Sequence, residues 1–120
     1  FWYKTSANAG YDNAQLALGI KYDIGQNAPK DPLKAIKYFT LAAIQNNSYA
    51  QFFLGEIYSQ GKGIEQDLIR GHMWFILSAA NDNTNASEQK KVNEEKMLES
   101  DLRKAQELAR ECVAKDYKGC

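Results

Sequence analysis

The chain of 120 residues balances 15 lysines and arginines against 15 aspartates and glutamates, so it lacks the basic surplus with which proteins neutralise nucleic-acid phosphates. Hydrophobic residues make up 44% and charged residues 25%, as in ordinary folded domains, which argues against extensive disorder. No apolar run approaches the roughly 20 residues that cross a bilayer, so we expect neither nucleic-acid binding nor membrane insertion.

The sequence repeats with a period of 36 residues, and a fixed period of this size is typical of solenoid folds. Between positions 14 and 47, eleven residues are identical to the residue 36 positions later, where composition alone predicts about two. They are Ala14, Gln15, Leu18, Gly19, Tyr22, Gly25, Asp31, Phe39, Leu41, Ala43 and Asn47. We therefore divide the single domain into the tail of an upstream repeat (1–10), two full repeats (11–47 and 48–83) and a degenerate C-terminal capping helix pair (84–120).

The first full repeat is predicted to form two helices. Helix A covers residues 14–24, where apolar residues recur every fourth position, and Gly25 follows at the point where a left-handed residue ends a helix. Asp31 is placed to cap the second helix, and Pro32 suits its first turn. Helix B then carries apolar residues at helical spacing, namely Ala35, Tyr38, Phe39 and Ala42.

The second repeat and the C-terminal region are predicted to continue this alternation. Ser48 is the expected cap of the second helix A, Gly61 its end, and Asp67 the cap of the second helix B. The C-terminal pair is expected to consist of a helix over 85–98 and a last helix capped by Ser100. The pattern predicts an all-α solenoid in which each helix pair buries its apolar surface against its neighbours.

The second repeat resembles the Sel1-like repeats, which are relatives of the tetratricopeptide repeats. The resemblance rests on Ala50, Leu54-Gly55, Tyr58, Gly61-Lys62-Gly63-Ile64, Asp67, Arg70-Gly71, Trp74-Phe75 and Ser78-Ala79. The first repeat departs from the pattern at Asn27 and Ala28. The resemblance implies antiparallel helix pairs in a right-handed superhelix, and a non-catalytic adaptor or scaffold role, often in bacterial proteins.

Two sets of residues are predicted from the repeat. The structural core consists of Leu18, Gly19, Tyr22, Tyr38, Phe39, Leu54, Gly55, Tyr58, Trp74 and Phe75. The A helices of such solenoids line the concave side, so a groove for a protein or peptide partner is predicted along Asn13, Leu16, Ile20, Asp23, Tyr49, Phe52, Glu56, Gln60, Glu88 and Val92. Phe52 is the expected central anchor, although the apolar members of the groove could instead cover neighbouring helices. Phe1, Trp2 and Tyr3 form a further candidate surface for self-association.

Catalytic chemistry has one weak sequence signal. Two Ser-x-x-Lys matches, Ser59 to Lys62 and Ser87 to Lys90, agree with the nucleophile motif of serine β-lactamases and penicillin-binding proteins. The companion motifs of those enzymes are absent, and the single histidine, His72, has no second ligand nearby in sequence. We therefore predict no catalytic residue, cofactor or metal site. The alternative is the β-lactam binding or hydrolysis described for cysteine-rich Sel1-type relatives.

The two cysteines bear on the compartment of the protein. Cys112 and Cys120 bracket a short segment with Gly119, which would let the tail fold back and form a disulfide. Two reduced thiols in a cytoplasmic protein are the other interpretation. A disulfide would indicate a periplasmic or secreted protein, because such bonds persist in oxidising compartments.

Overall fold

The computed structural model describes the backbone of residues 2–25 and 29–120, and the side chains of 11–25 and 29–120. It contains six helices and, within these residues, no strand. The helices are α1 (Trp2–Ile24), α2 (Pro32–Ala43), α3 (Ser48–Gln60), α4 (Leu68–Ala80), α5 (Thr84–Lys96) and α6 (Glu99–Ala114). The predicted all-α architecture is confirmed.

The first helix is longer than the repeat pattern predicts. α1 continues without a break through residue 10, where the predicted tail of an upstream repeat would have ended. Phe1 and the side chains of Trp2 and Tyr3, the candidate self-association surface, lie outside the described residues, as do Asn27 and Ala28. Self-association therefore stays a prediction.

The predicted aspartate caps are confirmed. The carboxylate of Asp31 accepts a hydrogen bond from the Lys34 backbone N–H at 3.2 Å, and that of Asp67 accepts one from the Arg70 N–H at 3.0 Å. Each bond satisfies one of the backbone donors that a helix leaves unpaired at its start. Gly61 ends α3 with φ of 70°, a left-handed conformation that glycine adopts without steric penalty.

Two other predicted caps are wrong. α3 is capped by Asn47, whose side-chain oxygen accepts from the Ala50 N–H at 3.0 Å, while Ser48 is already helical. Asn83 caps α5 in the same way, so an asparagine at the end of each full repeat caps the helix that follows it. Ser100 lies inside the first turn of α6, because the helix begins directly after Leu98, whose side chain has no polar group to form a cap.

Antiparallel helix pairs form the body of the structure. Phe39 of α2 packs on Gly19 of α1, and Phe75 of α4 packs on Gly55 of α3, 36 residues further along the chain. The missing side chain at each glycine lets the ring approach the neighbouring backbone closely. Phe53 of α3 stacks on Phe39 with ring centroids 5.1 Å apart, which joins the two repeats.

The last two helices do not form the predicted capping pair. α5 and α6 both pack against α4, and α6 makes its main contacts there rather than with α5. The buried stripe of α6, Ala105, Ala109 and Cys112, faces the core through small side chains. α5 is almost entirely polar and buries only Ala86 and Asn93, so it offers α6 little apolar surface.

The C-terminal tail is joined to the body at two points. Cys112 and Cys120 form a disulfide with their Cα atoms 5.7 Å apart. The Arg70 guanidinium donates a hydrogen bond to the main-chain oxygen of Cys120 at 3.1 Å. Tyr117 packs against the core, and its N–H donates to the Cys112 carbonyl at 2.8 Å. The tail therefore lies over the N-terminal end of α4.

Candidate partner-binding face

The helices predicted to line the groove are connected through polar side chains. α3 contacts α5 directly. α1 is joined to the start of α3 by Asn47, whose Nδ2 donates to Asp12 Oδ2 at 2.9 Å and to Asn13 Oδ1 at 3.3 Å. The same asparagine caps α3 with its oxygen, so one side chain sets both the start of a helix and its position against α1.

The ten predicted groove residues divide by exposure into two groups of five. The exposed residues are Asn13, Tyr49, Gln60, Glu88 and Val92, with Tyr49 62% and Val92 42% exposed. The half-buried residues are Leu16, Ile20, Asp23, Phe52 and Glu56. An apolar side chain that is neither needed in the core nor covered is available to a partner, and Tyr49 and Val92 meet that description.

Phe52 is not the exposed aromatic that the sequence predicted. Its ring centroid lies 5.8 Å from that of Phe53 and 5.9 Å from that of Phe75, in tilted contacts of the kind that stabilise aromatic clusters. Phe75 is fully buried on Gly55, so Phe52 covers one edge of the core. Tyr49, one turn earlier on α3, is the exposed aromatic residue of this helix.

Leu16 and Ile20 also have a packing role. Both are half-buried and lie against the hydrophobic core, so part of their surface covers neighbouring helices, as the alternative interpretation of the groove requires. Part of their surface stays exposed, as does Tyr49 on α3, so apolar surface remains on two of the A helices.

A cluster of charged side chains lies near the C-terminal ends of α1 and α3. Lys62 Nζ is 3.7 Å from Asp23 Oδ2, which links the end of α1 to the loop after α3. Glu56 is half-buried nearby. Burial raises its pKa above the ordinary value of 4.5, Lys62 lowers the pKa, and Asp23 raises it. Lys62 thus pairs with Asp23, and the charges of both residues act on Glu56.

Only some of the predicted core residues are fully buried. Gly19, Phe39, Leu54, Gly55, Trp74 and Phe75 are fully buried. Leu18, Tyr22, Tyr38 and Tyr58 are half-buried instead. Tyrosine suits the margin of a core, because its ring is apolar while its hydroxyl favours contact with water.

Buried polar residues are the part of the core that the sequence did not indicate. Gln51 is fully buried, and its Nε2 donates to the Ala43 carbonyl at 3.2 Å at the end of α2. His72 is 1% exposed, and its Nδ1 has no hydrogen-bond partner among the described residues. Burial lowers the pKa of His72, while Glu94 raises it and Lys90 lowers it. The identity of Gln15 and Gln51 in the repeat was the available signal for the buried glutamine.

Residues 12–47 and 48–83 each match the family model described as Sel1 repeat. The chain belongs to the Sel1-repeat family. No protein with a curated description matches it significantly. This chain resembles the crystal structure of c5321, a protective antigen present in uropathogenic Escherichia coli strains that displays an SLR fold. The TM-score is 0.83 and the sequence identity is 30%, and the match covers 97% of this chain and 26% of the antigen chain. A Sel1 repeat protein from Oxalobacter formigenes matches with a TM-score of 0.65 and 29% identity, over 75% of this chain and 68% of that one. The chain thus spans about a quarter of the length of the Escherichia coli antigen.

Both serines of the Ser-x-x-Lys matches, Ser59 in the second Sel1 repeat and Ser87 in α5, are held in structural contacts. The Ser59 hydroxyl lies against Gly71 and accepts a hydrogen bond from Asn93 Nδ2 at 3.5 Å. Lys62, the lysine of its motif, pairs with Asp23 instead. Ser87 donates to the Asn83 carbonyl at 3.4 Å in the first turn of α5. Among the described residues, neither serine forms a hydrogen bond with a base that could activate it.

The described part of the chain also bears on metal binding and on membrane insertion. No group of three or more His, Cys, Asp or Glu side chains there could hold a metal ion. None of the helices is long and apolar enough to span a bilayer in the same part of the chain.

Proposed function

We propose that this chain is a non-catalytic scaffold that binds a protein or peptide across the A helices α1, α3 and α5. The observation that carries the proposal is Tyr49, an aromatic residue that is 62% exposed on the central A helix and makes no contribution to the buried core. Tyrosine is enriched at the centres of protein interfaces, because it buries a large area with little loss of side-chain entropy.

Other residues of the A helices support the same role. Val92 of α5 is 42% exposed, and Leu16, Ile20 and Phe52 present the outer parts of half-buried side chains. Asn13, Gln60 and Glu88 supply a polar margin. An apolar strip with a polar rim is typical of surfaces that take up a helix or an extended peptide. Sel1 repeats commonly mediate protein interactions, which agrees with this role.

We place the protein in an oxidising compartment, either the periplasm or outside the cell. The support is the disulfide between Cys112 and Cys120, because cytosolic proteins keep their thiols reduced. A cytoplasmic location is the competing hypothesis. Thiol alkylation of protein taken directly from its host cell would distinguish them, since two alkylated thiols would support the cytoplasm.

The binding proposal is tested by crosslinking and then by affinity. A photo-crosslinking amino acid at position 49 should capture a partner in the host cell, while the same probe at Leu98, which is 70% exposed at the α5–α6 junction, should not. With the captured partner purified, Tyr49→Ala should weaken binding by about 1–3 kcal/mol, the range for an interface anchor. Leu98→Ala is the matched control. Equal affinities for the native protein and Tyr49→Ala would refute the proposed face.

A further inference from the structure

A cluster of lysines and tyrosines occupies the surface where α1 ends and α2 begins. The rings of Tyr22 and Tyr38 are stacked, with centroids 5.8 Å apart and planes inclined by 9°. Lys34 Nζ lies 5.2 Å and Lys21 Nζ 5.8 Å from the Tyr22 centroid, and Lys37 Nζ lies 5.8 Å from that of Tyr38. We name these five residues the lysine–tyrosine face.

The described residues do not neutralise the positive charge of this face. Among the described residues, none of its three lysines forms an ion pair, and Lys34 and Lys37 are exposed. The nearest acid in sequence, Asp31, is engaged as the cap of α2. Asp23 pairs with Lys62. Three ammonium groups therefore lie close to the same pair of stacked tyrosine rings. The cation–π contacts restrict the motion of the lysine side chains before a partner binds.

The second repeat shows what occupies the corresponding surface there. Tyr58, Arg70 and Trp74 stand 36 residues after Tyr22, Lys34 and Tyr38, and the Arg70 guanidinium lies 5.6 Å from the Tyr58 centroid. The C-terminal tail covers this second surface, where Arg70 donates to the Cys120 oxygen at 3.1 Å. Trp74 is 1% exposed, whereas Tyr38 is half-buried.

The two surfaces differ in charge, so the lysine–tyrosine face should not bind the kind of segment that covers the second surface. Met73 and Ile57 of the second repeat are buried, and the equivalent positions of the first repeat are Lys37 and Lys21. The side chains of the tail that covers the second surface, Lys115 and Lys118 with the single acid Asp116, are net positive and would be repelled by the lysine–tyrosine face. The tail of another copy of this chain is thus a poor occupant.

We propose that the lysine–tyrosine face binds an acidic segment of a partner protein. Carboxylates would pair with Lys21, Lys34 and Lys37, and the stacked rings of Tyr22 and Tyr38 would provide apolar contact for the segment's side-chain stems or aromatic groups. The face does not include Tyr49 or any other predicted groove residue, so the proposal is independent of binding across the A helices.

The test uses the whole chain and a fluorescently labelled oligoglutamate peptide, with an oligoglutamine peptide of equal length as the control probe. At low salt the native protein should bind the acidic probe and not the neutral one. The double variant Lys34→Gln/Lys37→Gln should bind it about three- to tenfold more weakly, the loss expected for two partly exposed charge pairs. Lys91→Gln/Lys104→Gln changes the net charge equally at exposed sites on α5 and α6, and should bind within about twofold of the native protein.

A second measurement locates the binding site. Addition of the oligoglutamate peptide should shift the ring NMR signals of Tyr22 and Tyr38 and leave that of Tyr58 unchanged, because Arg70 and the tail already occupy the second surface. Equal losses in both double variants, shifts confined to other residues, or no binding of the probe would overturn the proposal. Tighter binding of a DNA duplex or of anionic vesicles by the same lysines would replace the acidic segment with another class of partner.

Discussion

The ring of Phe75 lies so close to the backbone of Gly55 that a Cβ atom at position 55 would come within 2.5 Å of it. Phe39 and Gly19 have the same relationship one repeat earlier. Each contact joins helix A to helix B within a repeat, and the identity of both pairs at a spacing of 36 residues shows that the repeat conserves the contact within this chain. Because glycine has no side chain, the phenylalanine ring lies directly against the backbone of helix A, and this contact sets how closely the two helices pack.

Gly55→Ala should reduce the free energy of unfolding by up to about 2 kcal/mol. Overpacking of a buried site costs about 1–3 kcal/mol, and the higher helix propensity of alanine offsets roughly 1 kcal/mol of this. Urea unfolding would measure the loss. Phe75→Leu provides the control, because its smaller side chain makes room, so the double variant should lose less stability than the two single losses added together. Stabilisation by Gly55→Ala alone would contradict the contact.

Phe52→Ala and Trp74→Ala should both destabilise the protein, by unequal amounts. Trp74 is 1% exposed, and its truncation should reduce the free energy of unfolding by about 3–5 kcal/mol. Phe52 is half-buried against Phe53 and Phe75, and its truncation should cost about 1–3 kcal/mol. Tyr49→Ala is the matched control on the same helix and should leave thermal stability nearly unchanged. A Phe52→Ala variant as stable as the native protein would restore Phe52 as a dedicated binding residue.

The stability of the protein should decrease as the pH falls below about 6.5. Burial lowers the pKa of His72 below its ordinary value of 6.5, and the smaller effects of Glu94, which raises the pKa, and Lys90, which lowers it, act in opposite directions. Between the lowered pKa and 6.5 the unfolded chain binds a proton that the folded chain does not, so acid favours unfolding. Urea midpoints measured across this interval should fall less in His72→Gln than in the native protein. Glu56, whose pKa is raised, contributes with the opposite sign above pH 4.5. Parallel profiles in the two proteins would exclude a contribution from His72.

Reduction of the disulfide should lower the free energy of unfolding by about 2–3 kcal/mol, the value for a closed loop of this size in the chain-entropy model. Thermal unfolding with and without a dithiol would measure the effect. Cys120→Ala should unfold at the temperature of the reduced native protein and should not respond to the dithiol. A reductant-dependent shift in Cys120→Ala would show that the effect does not come from this bond.

The protein should not hydrolyse β-lactams. The Ser59 hydroxyl is held between Gly71 and Asn93, and Lys62 pairs with Asp23 rather than with the serine. Nitrocefin turnover by the purified protein should equal that of buffer. Turnover that disappeared in Ser59→Ala or Ser87→Ala would establish the enzymatic alternative in place of the scaffold.

The 36-residue period predicted the helices of the two full repeats because it combined apolar spacing with glycine and aspartate at the helix ends. It could not predict where α6 would pack. The small side chains Ala105, Ala109 and Cys112 fit against any apolar helix, and only the three-dimensional arrangement shows that α4 offers that surface while the polar α5 does not. The two wrong caps have a local cause, since Asn47 and Ser48 are adjacent and both residue types can cap a helix.

The candidate face was predictable only as a set of positions. Tyr49 and Phe52 lie within one turn of α3, and the sequence does not distinguish which of them will be covered. That depends on Phe75, which belongs to another helix and meets Phe52 after folding. The lysine–tyrosine face escaped prediction for a related reason. Tyr22 and Tyr38 were assigned to the core by their place in the repeat, and their stacking at its margin is a property of how α1 meets α2.

The helices should differ in how readily they unfold locally, because they pack against different numbers of neighbouring helices. α4 packs against α3, α5 and α6, whereas α1 packs chiefly against α2. Amide hydrogens of α4 should therefore exchange with solvent only when the whole chain opens, and those of α1 through smaller fluctuations at the N-terminal end. An acidic segment bound across Tyr22 and Tyr38 would hold α1 against α2. Slower exchange in α1, more than in α4, would then report the occupancy of that surface.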